Sequence, residues 1–204
     1  MTQVRPMRAD ARRNYERLLK VAAEAFAEHG EGASLDDIAK RAGVGSGTLY
    51  RHFPTRQALL EAAYLDRVEG FARRADELAR ELPPGQALGE WLYELCVGTI
   101  EVRGLKTLLG SAMTDAAVTV CGTHVRGAAQ RLVSAAQESG SLRGDVEPVE
   151  LLRLAHGVAG AAELGDGGGE SIRRYLTLLT EGLRVSGGWS RPAAEPQIDT
   201  APRP

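Results

Sequence analysis

Long apolar runs are missing from this 204-residue sequence: charges interrupt every candidate well before the roughly 18 unbroken apolar residues that a membrane helix needs. The N-terminal stretch MTQVRPMRADARRNYERLL is positively charged but has no apolar core of a secretory signal, so a cytoplasmic location is expected. Cysteine is scarce. Cys96 and Cys121 stand in no metal-type spacing, which predicts neither a disulfide framework nor a metal site. Sustained period-two alternation with β-branched enrichment is absent, and this excludes a sheet as the organising element. Aromatic residues make up only 5%, which disfavours a large stacking cage for a flat cation. An excess of one charge sign is lacking too, because the net charge is only −2. Its distribution is uneven, however. Residues 1–56 carry 10 Lys and Arg against 7 Asp and Glu, and residues 57–204 carry 15 against 20. A basic head on an acidic body suggests that the head meets a polyanion.

What is present is helical periodicity almost throughout, so the chain reads as all-α. Tyr15, Leu18, Leu19, Ala22 and Phe26 recur three and four apart, predicting a helix over 11–29 with Asp10 as N-cap and Gly30 as its stop. Ser34-Leu35-Asp36-Asp37 is a capping box opening a short helix that ends at Gly43, and Ser46 is placed to cap a third. Thr55 caps a helix over 56–82, after which Pro83-Pro84-Gly85 breaks the chain. Further helices are expected near 86–103, 105–110, 113–138, 148–163 and 170–185. The tail from 188 to 204 is rich in Pro, Gly and Ala and reads as disordered.

The stretch GVGSGTLYRHF, residues 43–53, raises a choice between a phosphate-cradling loop of a nucleotide enzyme and the turn of a DNA-binding hairpin. A dinucleotide loop needs a preceding strand and a Gly-x-Gly-x-x-Gly spacing, whereas here a capped helix precedes Gly43-x-Gly45-x-Gly47, with no Gly-Lys-Ser/Thr ending. A helix-turn-helix needs a small residue at the closest approach, a residue tolerant of positive φ at the turn, and apolar inner faces. Ala39, Gly43 and the set Ile38, Val44 and Leu49 supply these in order. With Leu49 and Phe53 inward, Ser46, Gly47, Thr48, Tyr50, Arg51 and His52 face out, and their hydroxyl, phenol, imidazole and guanidinium groups suit phosphates and base edges.

The run LDDIAKRAGVGSGTLYRHFPTRQALL, residues 35–60, resembles the DNA-binding segment of the TetR (tetracycline-repressor-like) family of transcriptional regulators, and the match extends over about residues 11–65. The resemblance implies an N-terminal helix-turn-helix domain over 1–55 and a larger helical effector-binding and dimerisation domain over 56–187. It also implies a homodimer on a palindromic operator, with the third helix of each subunit in a major groove. Ser46 and Thr48 would lie nearest base edges, with Gly45 and Gly47 allowing close approach. Tyr50, His52, Arg56 and Ser34 would hold phosphates, Lys40 and Arg41 could reach the backbone, and Arg51 could read a base or clamp a phosphate. Arg12 and Arg13 would add a contact from the arm.

In the body the resemblance implies an effector pocket, and the candidates to line it are Trp91, Cys96, Ile100, Leu109, Met113, Cys121, His124 and Val125. Each also reads as plain core. An Ala- and Leu-rich lining suits an apolar or weakly polar effector. Glu90, Glu94 and Glu101 read as a solvated helix face, and no nucleophile elbow or zinc motif appears, so neither enzymatic activity nor a cofactor is expected. The stripes Leu151, Leu154, Val158, Ala162 and Ile172, Tyr175, Leu176, Leu179, Leu183 would pair with their symmetry mates in a dimer. The expected function is an effector-released repressor, and the alternative is an all-helical adaptor that does not bind DNA.

Overall fold

The structure, a computed structural model, describes residues 5–112, 120–165 and 168–183. These form nine α-helices with no strand among the described residues. In order they are α1 (Arg5–His29), a 3-10 turn (Gly30–Gly32), α2 (Leu35–Arg41), α3 (Ser46–His52), α4 (Arg56–Glu81), α5 (Pro84–Glu101), α6 (Arg103–Ala112), α7 (Val120–Glu138), α8 (Pro148–Leu164) and α9 (Gly169–Gly182). The all-α expectation holds.

The ends of these helices follow from local chemistry. Ser34 caps α2, its Oγ accepting from the Asp37 amide at 3.3 Å, and Thr55 caps α4 by accepting from the Ala58 amide at 3.1 Å. Before α8, Glu147 and Glu150 make a reciprocal capping box. Proline at the first position of α5 and of α8 loses no intrahelical hydrogen bond there and presets φ. Two cap expectations need correction. α1 starts at Arg5, which puts Asp10 inside the helix. The N-cap of α3 is Gly45, without a side-chain hydrogen bond, and Ser46 is the first helical residue. The break at Pro83-Pro84-Gly85 is also shorter than expected, because only Pro83 stands outside α5. The proposed tail, and residues 113–119 of the predicted 113–138 helix, lie outside the described residues.

The head consists of α1, α2 and α3. α1 packs on α2, the 3-10 turn and α4, and α2 packs on α3. Leu18, Ala22, Ala25, Phe26, Ile38, Ala39, Leu49 and Phe53 are buried in one core that continues into the body. α5 is the central helix of the body, packed against α4, α6, α7, α8 and α9. Leu88, Trp91, Leu92, Leu95, Cys96 and Thr99 repeat three and four apart along it and are all buried. Trp91 brings a polar edge into this core, and its Nε1–H donates to the Phe71 carbonyl at 2.9 Å. Glycine at position 98 lets α4 come close: a Cβ there would fall 2.6 Å from Cζ of Phe71. α6 touches α1 and the 3-10 turn as well as α4, α5 and α7, which makes it a body helix in direct contact with the head.

Candidate nucleic-acid interface

The turn between α2 and α3 is built on Gly43, which has φ +66. The Gly43 amide donates to the Lys40 carbonyl at 3.1 Å and the Val44 amide to the Ala39 carbonyl at 3.0 Å. This is the paired closure of a Schellman motif, and its left-handed residue is cheap only as glycine. Val44 packs against the core behind the turn. The angle between the two short helices is therefore set by one glycine and two backbone bonds.

With that angle fixed, α3 sorts its side chains by face. Leu49 is fully buried and Phe53 nearly so, while Gly45, Ser46, Gly47, Thr48, Tyr50, Arg51 and His52 are all exposed. A Cβ built on Gly47 meets nothing within 4 Å, so the space over this turn of helix is open. Ser34 and Lys40 are exposed on α2 and its cap.

Of the remaining predicted residues of the head, Arg12 and Arg13 are exposed on α1, with Arg12 2.8 Å from Glu16, while Arg41 and Arg56 make contacts within the head. Arg41 lies 3.6 Å from Glu24 and 3.6 Å from Glu28, which ties it to α1. Arg56 is half-buried, donates from Nη2 to the Ala33 carbonyl and sits over the Phe26 ring at 5.9 Å. Its Nη1 is buried without a hydrogen-bond partner among the described residues. Two residues outside the predicted set also belong to the head's frame. Arg17 Nε donates to the Ala42 carbonyl at 2.7 Å, at the negative end of α2, and its Nη2 donates to Asn14 at 3.0 Å. Tyr15 stacks on Phe53 at 5.7 Å and meets His52 edge-on at 6.2 Å. Its place at the edge of the α1 stripe, three residues before Leu18, was the available signal.

Residues 18–63 match the bacterial regulatory proteins of the tetR family, and residues 83–185 match the C-terminal domain of the SbtR-like transcriptional regulators. The second match alone covers half of the sequence. The chain belongs to the TetR family of transcriptional regulators. Among solved members, a TetR regulator from Streptomyces coelicolor is 33% identical with a TM-score of 0.54, over 83% of this chain and 97% of that one. A second, from Mycobacterium vanbaalenii, is 36% identical with a TM-score of 0.51, over 88% of this chain and 100% of that one. A curated helix-turn-helix regulator of Staphylococcus aureus is 46% identical over 54 residues, which span 26% of this chain and 29% of that protein. Membership fixes the class: a transcriptional regulator with an N-terminal DNA-binding helix-turn-helix and a helical C-terminal domain.

The TetR-type body places the predicted effector residues unevenly. Trp91, Cys96, Leu109, Cys121 and Val125 are buried to within about 1% exposure, Ile100 is half-buried, and Met113 lies outside the described residues. Cys96 Sγ contacts the Ala155 carbonyl at 3.3 Å and Cys121 Sγ the Glu61 carbonyl at 3.7 Å. Burial pushes the Cys96 thiol up to about 12 and the Cys121 thiol up to about 11. His124 is half-exposed, 3.9 Å from Glu69, at a groove of about 380 Å³ between α4 and α7 that Arg73, Asp76 and Arg131 also line. A second groove, of about 460 Å³, runs between α5 and α9 past Gln86, Glu90, Tyr93 and Thr180. There Arg173 stacks on Tyr93 at 3.7 Å and grips Glu90 with two bonds of 2.9 Å, holding the Glu90 carboxyl below the usual range.

The predicted interface stripes on α8 and α9 also divide. Leu151, Ala162, Ile172 and Leu176 are buried within the subunit and cannot meet a partner directly, because their helix faces turn toward the chain's own core. Leu154 is exposed, Val158, Tyr175, Leu179 and Leu183 are half-exposed, and Leu178, absent from the prediction, is 53% exposed. Helical period alone does not separate these two adjacent apolar faces, one against the core and one beside it.

Proposed function

We propose that this chain is an effector-responsive repressor that binds an inverted-repeat operator as a homodimer. The observation that carries the reading is the sorting of α3: a buried Leu49–Phe53 edge under an open, exposed row of hydroxyl, phenol, imidazole and guanidinium groups. Ser46 and Thr48 face base edges, Gly45 and Gly47 admit the duplex closely, and Ser34, Lys40, Tyr50 and His52 hold phosphates, with Arg51 on the same face. Arg56, half-buried and bonded to Ala33, keeps the hairpin in place, and Arg41, exposed beside Glu24 and Glu28, reaches the DNA backbone from the end of α2.

The dimer forms through Leu154, Val158, Tyr175, Leu178, Leu179 and Leu183, apolar residues of α8 and α9 that stay exposed or half-exposed at the edge of the subunit's own core. An apolar or weakly polar effector enters among α5, α6 and α7, the helices that carry Trp91, Cys96, Ile100, Leu109, Cys121 and Val125, with His124 beside them on α7. Contact of α6 with α1 supports transmission to the head: an effector that shifts α6 changes the spacing of the two α3 helices, and the operator is released.

The test is a footprint of the purified protein on DNA flanking its own coding region, followed by selection from random sequence. Protection or selection of a short inverted repeat is expected, with light scattering at twice the chain mass. Failure of both DNA experiments would overturn the reading in favour of a helical adaptor.

A further inference from the structure

The exposed imidazole of His52 stands at the last turn of α3, where a helix of only seven residues has little of its own to hold a side chain still. It is not alone there. Tyr15, from α1, lies edge-on to His52 at 6.2 Å with 66° between the rings, and nearly parallel to Phe53 at 5.7 Å with 28° between them. His52 and Phe53 are themselves tilted at 44° and 6.3 Å apart. Phe53 is buried and is the C-cap of α3, its amide donating to the Leu49 carbonyl at 2.8 Å. The three rings therefore form a cluster in which the buried member anchors Tyr15, and Tyr15 walls one side of the exposed imidazole. Tyr15 remains 40% exposed.

We infer that Tyr15 is a positioning residue for DNA binding, fixing the His52 imidazole in the orientation in which it meets the duplex. The inference rests on the reading that His52 contacts the DNA backbone. Ordering an exposed side chain on association opposes binding, and a residue that orders it beforehand removes that opposition. An edge-to-face ring pair restricts rotation without occupying either imidazole nitrogen through a hydrogen bond, so the N–H remains free to donate to phosphate.

The experiment is a double-mutant cycle on the full-length protein, read as the dissociation constant for the operator fragment obtained by footprinting or selection. Tyr15→Leu keeps an apolar cover on Phe53 but removes the flat wall, and Tyr15→Phe keeps the wall. Expected is a loss of about 3- to 10-fold for Tyr15→Leu, no change for Tyr15→Phe, and no further loss when Tyr15→Leu is added to His52→Ala. An equal loss for Tyr15→Leu in both backgrounds overturns the inference, since Tyr15 then acts independently of His52. No loss for His52→Ala alone removes the underlying reading and the inference with it. The imidazole proton resonances of His52 in the free protein give a readout that needs no DNA. They should shift in Tyr15→Leu and hold in Tyr15→Phe, and unchanged resonances in Tyr15→Leu overturn the inference even if that variant folds poorly enough to bind weakly.

Discussion

Tyr64 and Gly104 meet ring against backbone: a Cβ built on Gly104 would fall 2.5 Å from the Tyr64 hydroxyl oxygen and 2.6 Å from its ring. The same hydroxyl donates to the Ala23 carbonyl at 2.9 Å, so one side chain joins α4 to α1 and α6. Its phenol is pushed up to about 12 by burial, with Arg67 drawing it back, and it stays a donor across the ordinary pH range. Gly104→Ala must displace a buried ring and is expected to cost about 1–3 kcal/mol. Tyr64→Phe keeps the shape and loses the bond, at about 1 kcal/mol. Urea unfolding midpoints check both, and a neutral Gly104→Ala would mean that the helices slide apart freely.

Two glycines of the hairpin should behave oppositely. Gly43 is left-handed, and Arg17 stands 3.4 Å from where its Cβ would be, so Gly43→Ala is expected to destabilise by about 1–2 kcal/mol. Gly47 is helical with open space around it, so Gly47→Ala should stabilise the free protein by about 0.5–1 kcal/mol. If α3 lies against the duplex, the added methyl at position 47 should nonetheless weaken operator binding. Paired melting and binding measurements decide the matter, and unchanged affinity would move Gly47 off the interface.

Operator affinity should fall steeply with salt, because the positioning contacts are charge-based. Removing one phosphate contact with Lys40→Ala should reduce the log–log slope by about 0.9 and weaken all sequences alike. An unchanged slope would take Lys40 out of the phosphate set.

The buried thiols of Cys96 and Cys121 should be inert, since the thiolate is the reactive form and burial opposes it. A disulfide-exchange reagent at pH 8 should label neither in the native protein and both after unfolding. Rapid native labelling would show that the body opens readily around α5 and α7.

Acid should destabilise the protein partly through His156. Burial, and then the Lys106 ammonium, lower its pKa, while Glu163, paired with Lys106, raises it; its Nδ1 is buried without a partner among the described residues. The unfolded chain takes up this proton first, near its ordinary value of 6.5. The stability present above that pH is therefore lost as the pH falls through the depressed folded value. Unfolding midpoints between pH 7 and 5 should drop, and His156→Gln should flatten the drop. An undiminished slope in that variant would assign the acid sensitivity to other groups.

The sequence by itself determined the helices and the hairpin. Three- and four-residue spacing put Leu18, Phe26, Leu49 and Trp91 inward, Ser34 and Thr55 announced their helix starts, and Gly43 marked the turn, all because these signals act within a few residues of chain. What only the tertiary structure decided lies between elements. Arg56 looks like a DNA-facing cation in sequence, yet the structure engages it with Ala33, and it sets Arg41 beside Glu24 and Glu28. Arg17 and Tyr15 look like ordinary helix residues, yet they hold the hairpin and its aromatic end. Periodicity likewise tells that α8 and α9 are apolar but not which apolar face meets the core, so Leu151 and Leu154 were indistinguishable until α5 was in place. A side chain's partner depends on which distant helix packs beside it, and that is a property of the whole fold.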